Sequence, residues 1–342
     1  MIGDGGLGPE GFLPSHGTPR AVRNTGPQPP QPEPKSQMQS SIHPATSGAI
    51  GPSAPASRDW PETARDLVQL TKPRVTSLVL ITSACGALAA PGSLSWLKFG
   101  FGMIGVLLVV GAANAFNMVL ERDTDGAMQR TRLRPLPTGR LSPEAAVWFA
   151  SVLGVLGLAS VLLFVNGMAA LLTAIALASY VLVYTPLKRV TPWALHLGAI
   201  PGALPPLIGW TSVTGRLDAG GLSLFLILFV WQLPHFLAIA IFRQSEYEKA
   251  GLRVLPAVKG LAATKHEIAV YVLLLLAVSL LPLWTNAAGA AYAVVAGLSG
   301  VLFAACGLYG LRKDAGALWA RRLFFSSMPY LVVVFGALVA TA

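Results

Sequence analysis

Long apolar runs dominate the chain from Leu78 onward, each of about 18 to 24 residues. A helix of that length crosses a hydrocarbon layer of ~30 Å, and inside a bilayer the backbone polar groups must bond within the segment. The runs also lack the strict alternation of barrel strands. We therefore predict an all-α integral membrane protein with nine transmembrane helices, near residues 75–92, 97–120, 145–165, 168–186, 194–213, 221–242, 267–285, 288–310 and 323–341.

Charged residues are scarce, at 12% of the 342 residues. A soluble domain carries about 25%, so lipid must cover much of this surface. The net charge of +10 does not indicate nucleic-acid binding, because the basic residues cluster in short loops rather than along a polar face. The two cysteines, Cys85 and Cys306, lie far apart in apolar runs and predict neither a disulfide nor a thiolate metal site.

Residues 1–58 differ from the rest, because they are rich in Pro, Gly, Ser and Gln and have no apolar period. Such a segment cannot bury enough apolar surface to offset its ordering entropy. We predict a disordered tail over residues 1–58 and a membrane domain over residues 59–342.

Basic residues orient the predicted helices. They gather in the loops after the second, fourth, sixth and eighth spans, whereas the opposite loops hold little beyond Lys98 and Arg216. The positive-inside rule then predicts that the tail and the basic loops lie in the cytoplasm. The membrane would be the inner membrane of a cell. The alternative is a mitochondrial inner membrane, with the same loops in the matrix.

Polar side chains mark the end of the second span. Asn117, Glu121 and Asp125 are spaced i, i+4 and i+8, which puts three oxygen-bearing side chains on one helical stripe, whereas Asp123 points elsewhere. Basic residues follow within reach of the same stripe: Arg130, Arg132 and Arg134.

A second polar stripe is predicted where the sixth span ends. On a continuous helix His235, Arg243 and Glu246 share a face, although Pro234 would kink that helix and free a carbonyl group. Carboxylates beside arginines at a membrane surface favour a diphosphate site, because Mg²⁺ prefers oxygen ligands and the arginines neutralise the remaining charge. The alternative is a set of interfacial ion pairs and topology signals.

These residues carry a family resemblance. The spacing Asn117-x3-Glu121-x3-Asp125 resembles the NxxxDxxxD motif of the UbiA superfamily of intramembrane prenyltransferases. Longer strings, within roughly residues 65–341, are similar to its protohaem IX farnesyltransferase (haem O synthase) branch: Thr71-Lys72-Pro73-Arg74, Phe116-Asn117-x4-Arg122-Asp123-x-Asp125-x2-Met128-x-Arg130-Thr131-x2-Arg134-Pro135, Tyr184-Thr185-x2-Lys188-Arg189 and Trp231-Gln232-x-Pro234-His235-Phe236. Glu121 and Glu246 stand where that branch usually has Asp.

The resemblance implies a UbiA-type bundle that transfers a farnesyl group from farnesyl diphosphate to a vinyl group of haem B, giving haem O and diphosphate. It also implies Mg²⁺ as cofactor and a downstream haem A synthase as partner. One alternative is prenyl transfer to a quinone precursor or another aromatic acceptor. The alternative from another class is a secondary transporter of an anionic solute, which should place its ionisable residues near the midplane of paired broken helices.

Site residues follow from the stripes and the resemblance. We assign catalysis and the metal to Asn117, Glu121, Asp125 and Glu246. The diphosphate is assigned to the neighbouring cations: Lys72, Arg74, Arg130, Arg134, Lys188, Arg189 and Arg243.

His235 is predicted to contact haem as an axial ligand to iron. An ionisable side chain within an apolar run usually faces a cavity, and neutral imidazole suits iron better than Mg²⁺. A neutral His235 bonded to a carbonyl freed by Pro234 is the alternative. His196, in the fifth span, is a second candidate that could ligate instead or as well.

Overall fold

The computed structural model describes residues 59–129, 131–188, 190–249 and 251–342. Within these ranges every regular element is a helix, so the predicted all-α membrane fold is confirmed. The predicted tail, residues 1–58, lies outside the described residues, as do Arg130 and Arg189.

The helices are numbered here in chain order: α1 (Trp60–Leu70), α2 (Pro73–Ala89), α3 (Trp96–Leu120), α4 (Arg122–Ala127), α5 (Pro143–Phe164), α6 (Gly167–Ala178), α7 (Thr185–Leu187), α8 (Ala194–Thr214), α9 (Ala219–Phe242), α10 (Gln244–Lys249), α11 (Leu255–Val258), α12 (Gly260–Val278), α13 (Leu281–Trp284), α14 (Ala290–Leu308) and α15 (Ala317–Ala340). A π-helix over Ser179–Tyr184 joins α6 to α7, and a 3₁₀ turn over Tyr309–Leu311 follows α14.

Seven segments of the described chain are long and apolar enough to cross a membrane: Trp96–Leu120, Pro143–Phe164, Gly167–Leu187, Ala219–Phe242, Gly260–Trp284, Ala290–Leu311 and Ala317–Ala340. They match seven of the predicted spans, and the protein is a multi-pass membrane protein. The other two predicted spans coincide with α2, which is shorter, and α8, which contains three prolines. The count of nine crossings stays a prediction.

α8 is an inner helix despite its prolines. It runs unbroken through Pro201, Pro205 and Pro206 and packs between α2, α6 and α9. Close approach to α2 depends on glycine, because a Cβ on Gly86 would overlap the carbonyl of Pro206 and a Cβ on Gly209 would overlap that of Ser83. Packing on both sides therefore sustains a helix that its prolines weaken.

α9 is the most deeply buried of the seven apolar segments, and it contacts α8, α12 and α15. It continues through Pro234 from Ala219 to Phe242. The largest apolar cluster of the described residues surrounds it, with Trp231, Leu237 and Leu323 among its members. This central position holds the side chains of α9 in a fixed register against α8 and α15.

Candidate active site

A cavity of about 760 Å³ opens between α2, α3, α8, α9, α15 and the π-helix. This volume is in the upper part of the ~300–1,000 Å³ range of small-molecule sites. Charged side chains gather at one end, where Lys72, Glu121 and Asp125 lie, whereas apolar residues such as Val109, Ile208 and Leu331 line the rest. The cavity can therefore hold a molecule with a charged head and a long apolar body.

The predicted oxygen stripe is present although the helix beneath it is interrupted. α3 ends at Leu120 and α4 begins at Arg122, with Glu121 between them. The backbone bonds from Glu121 N to Asn117 O (3.0 Å) and from Asp125 N to Glu121 O (2.8 Å) keep the helical spacing across the junction. All three side chains are buried and line the cavity.

Asp123 points away from the oxygen stripe, as predicted. Its side chain is 84% exposed and pairs with Arg122 at 3.4 Å, whereas the side chain of Asp125 is 6% exposed. Two acids only two residues apart therefore lie in opposite environments.

Each member of the stripe contacts one cation from another part of the chain. Lys72 Nζ donates to Asn117 Oδ1 at 2.8 Å. Lys188 Nζ lies 2.6 Å from Glu121 Oε1, and Arg134 Nη1 lies 2.7 Å from Asp125 Oδ2. Three cations thus surround three oxygen-bearing side chains at the polar end.

Lys72 occupies an unusual backbone position. It has φ 49°, in the left-handed region that non-glycine residues rarely adopt, and it caps α2, which begins at Pro73. Such strain is common at functional sites, where the surrounding structure enforces it. Burial, with the nearby charge of Arg134, lowers the pKa of Lys72 to about 8.

The donor set of the stripe fits Mg²⁺. Two carboxylates and one amide oxygen are hard ligands, and Mg²⁺ is usually held by one or two carboxylates together with substrate phosphates. In the described part of the chain, no cluster of three or more His, Cys, Asp or Glu side chains could bind a metal without such help. Asn117, Glu121 and Asp125 therefore suit a metal that arrives with a phosphorylated substrate.

His235 lines the cavity and its ring is tightly held. Its Nδ1 lies 2.6 Å from Ser327 Oγ on α15, and its ring centroid lies 4.7 Å from that of Trp231 and 4.6 Å from that of Phe324. The partner of His235 is therefore a hydroxyl group of another helix, and the alternative of a carbonyl freed by Pro234 is wrong.

The other predicted histidine has a different environment. His196 Nε2 lies 2.7 Å from the Tyr271 hydroxyl, and His196 is not among the residues that line the cavity. Its helix turns this side chain toward α12, a direction that the apolar run in the sequence did not reveal.

Arg243 and Glu246 contact each other rather than the stripe. Arg243 Nη1 lies 2.9 Å from Glu246 Oε2, and neither residue lines the cavity. α9 ends at Phe242, so the continuous helix that placed both residues on the face of His235 is absent. The same loop instead contributes Tyr247 and Arg253 to the cavity wall.

Sequence reasoning missed several cavity residues. In the sequence, Arg253 resembled any other residue of a basic loop. Tyr180 lines the cavity from the π-helix, an element that is rare and often lies at functional sites but has no simple sequence period. Tyr184 lines the cavity from the same π-helix, and the resemblance included this residue without giving it a role. Of the predicted cations, Arg74 also lines the cavity, at its exposed rim.

Two proteins of similar sequence carry the same name. The chain is 53% identical over 245 residues to "Protoheme IX farnesyltransferase" of Sorangium cellulosum (strain So ce56), across 72% of this chain and 88% of that protein. It is 46% identical over 278 residues to the protein of the same name from Myxococcus xanthus (strain DK1622), across 81% of this chain and 95% of that protein.

Solved structures share the fold at low sequence identity. A structure of digeranylgeranylglyceryl phosphate synthase has a TM-score of 0.69 at 19% identity, covering 82% of this chain and 98% of that one. A UbiA homologue from Archaeoglobus fulgidus, described as bound to GPP and Mg²⁺, has a TM-score of 0.54 at 17% identity, covering 80% and 99%. The model of the UbiA prenyltransferase family matches residues 78–328, and the chain therefore belongs to this family of membrane prenyltransferases.

Proposed function

We propose that this chain transfers a farnesyl group from farnesyl diphosphate to a vinyl group of haem B, yielding haem O and diphosphate. Its similarity to proteins named protoheme IX farnesyltransferase, at 53% and 46% identity, supports this substrate pair. The observation that carries the proposal is one cavity with a charged end for a diphosphate and an apolar body for two hydrophobic substrates.

The charged end binds the donor. Lys72, Arg134 and Lys188 exchange their contacts with the stripe for contacts with the diphosphate oxygens, and their positive charge stabilises diphosphate as it leaves. When bound by Asn117, Glu121 and Asp125, Mg²⁺ neutralises the remaining phosphate charge. The Archaeoglobus fulgidus homologue, described as bound to GPP and Mg²⁺, supports this assignment.

Other predicted site residues remain part of this proposal. Glu246 is assigned to the metal and Arg243 to the diphosphate. Their ion pair with each other lies near Tyr247 at the cavity rim, and it opens so that each side chain reaches its ligand. Arg74, whose exposed side chain also lines the cavity, contacts the diphosphate as well.

The apolar part of the cavity shelters the bond-forming step. Loss of diphosphate leaves positive charge on C1 of the farnesyl group, and the electron-rich vinyl group attacks that carbon. The positive charge then lies on the carbon of the former vinyl group that is attached to the porphyrin. Water adds to that carbon and loses one proton, so that a hydroxyl group stays on it. Apolar walls exclude bulk water until the carbon–carbon bond has formed.

We assign the acceptor to the region of His235, whose ring lies in the cavity wall and provides an axial ligand for haem iron. The basic loops support a location in a cell membrane with the active end and the N-terminus on the cytoplasmic side. Delivery of haem O to a downstream haem A synthase is part of the same proposal.

A direct assay tests the proposed function. Purified protein is mixed with farnesyl diphosphate, Mg²⁺ and haem B, and haem O is sought by chromatography. A Lys188→Gln variant should bind farnesyl diphosphate far more weakly than wild type while binding haem B normally. Prenylation of an aromatic quinone precursor without haem O would contradict the proposed acceptor, and equal loss of both ligands by Lys188→Gln would contradict the proposed role of this lysine.

A further inference from the structure

The Ser327 hydroxyl group has two short contacts on α15 and α9. Its Oγ lies 2.7 Å from the backbone carbonyl of Phe324, one turn earlier on its own helix. The same Oγ lies 2.6 Å from His235 Nδ1. Ser327 is completely buried, so no solvent competes for either contact.

The number of available hydrogen atoms determines which atom donates and which accepts in each of the two bonds. A carbonyl oxygen can only accept, so at 2.7 Å the single hydroxyl hydrogen of Ser327 points to Phe324 O, since otherwise two oxygen lone pairs would face each other. Ser327 Oγ must then accept the second bond, and the hydrogen of that bond belongs to His235 Nδ1. His235 is therefore the neutral tautomer with hydrogen on Nδ1 and a lone pair on Nε2.

The surroundings of His235 leave that lone pair available. No hydrogen bond joins Nε2 to any residue that the structure describes, and His235 lines the cavity. The ring stacks on Trp231, whose Nε1 donates to the backbone carbonyl of Ser327 at 2.8 Å. Ser327 therefore holds both the histidine and its stacking partner.

We propose that Ser327 is a positioning residue for haem binding, because it fixes the His235 tautomer that presents Nε2 to the iron of haem B. The inference rests on the proposed function, which makes haem the acceptor. Histidines that bind a metal usually donate their other ring N–H to a second group, and loss of that group lowers metal affinity about 10- to 100-fold. Without Ser327 the ring can rotate or exchange its hydrogen between nitrogens, and the iron loses a preorganised ligand.

Four variants separate this role from general packing. Ser327→Ala removes the acceptor, Ser327→Thr keeps a hydroxyl group, and His235→Ala removes the ligand. Ser326→Ala is the matched control, because Ser326 lies on the same helix turn but bonds Leu323 O and contacts Cys306 instead. Each purified variant is titrated with haem B while the Soret band is followed, and farnesyl diphosphate binding checks the fold.

Ser327→Ala should weaken haem binding about 10- to 100-fold and shift the Soret band toward that of His235→Ala. Ser326→Ala and Ser327→Thr should bind haem as wild type does, and all four variants should bind farnesyl diphosphate normally. In the haem O assay, Ser327→Ala should raise KM for haem with little change in kcat.

Two results would overturn the inference. One is a Ser327→Ala variant with wild-type haem affinity and Soret band, and the other is equal loss of haem and farnesyl diphosphate binding, which marks a packing role. Failure of the proposed function is distinct, because wild-type protein would then form no haem O whatever the titrations show.

Discussion

Asp125→Asn should nearly abolish prenyl transfer without unfolding the protein. This substitution removes one negative charge from a buried side chain that lines the cavity and lies 2.7 Å from Arg134. Size and shape stay almost constant, so the effect reports charge and metal affinity rather than packing.

The expected loss follows from the role of the carboxylate. A single preorganised electrostatic group in an active site contributes about 10²- to 10³-fold to turnover. We expect a loss in that range at saturating Mg²⁺, and at least tenfold, which corresponds to ~1.4 kcal/mol of activation free energy. Turnover is measured as haem O formed per minute by purified protein.

Asp123→Asn is the matched control, because it makes the same chemical change two residues earlier on an exposed side chain. Its turnover should stay within about twofold of wild type, since exposed ion pairs contribute little. The reasoning is refuted if Asp125→Asn keeps more than a tenth of wild-type turnover, or if Asp123→Asn loses as much.

Three further predictions concern other parts of the chain. Glu246→Gln should lower turnover less than the Asp125 substitution does, because Glu246 lies outside the cavity wall and must leave its ion pair with Arg243 to reach the metal; unchanged turnover would contradict its assignment to the metal. Gly209→Ala should destabilise the protein by about 1–3 kcal/mol in thermal unfolding, because its Cβ would overlap a carbonyl of α2, whereas Gly297→Ala, with open space around it, should change little. A truncated chain that begins at Asp59 should insert and turn over normally, because residues 1–58 lack an apolar pattern that could dock; a sharp loss of activity at normal expression would contradict this.

Local patterns in the sequence predicted the helices and the oxygen stripe. A run of 18 or more apolar residues forms a helix in lipid, because its backbone polar groups must bond within the segment. The positions of the spans therefore followed from length and hydropathy. Asn117, Glu121 and Asp125 share a face because each step of four residues nearly completes a helical turn. That periodicity held even across the break at Glu121, where backbone bonds maintain the spacing.

The same reasoning was weaker where the chain changes direction. Arg243 and Glu246 were placed on the face of His235 by a helix that ends at Phe242. His196 was assigned to the acceptor site because it lies in a long apolar run, but the rotation of a buried helix depends on its neighbours, and α8 turns His196 toward Tyr271.

Hydropathy and helical periodicity act over a few turns, so the order of residues was enough to predict the membrane class, the approximate spans and the chemistry of the polar residues. Which of these side chains meet depends on how the helices pack. Lys72 is 45 residues from Asn117, and Ser327 is 92 residues from His235, yet both pairs are in hydrogen-bond contact. Such contacts depend on the packing of α2 against α3 and of α9 against α15, which arises from the shapes of many side chains together.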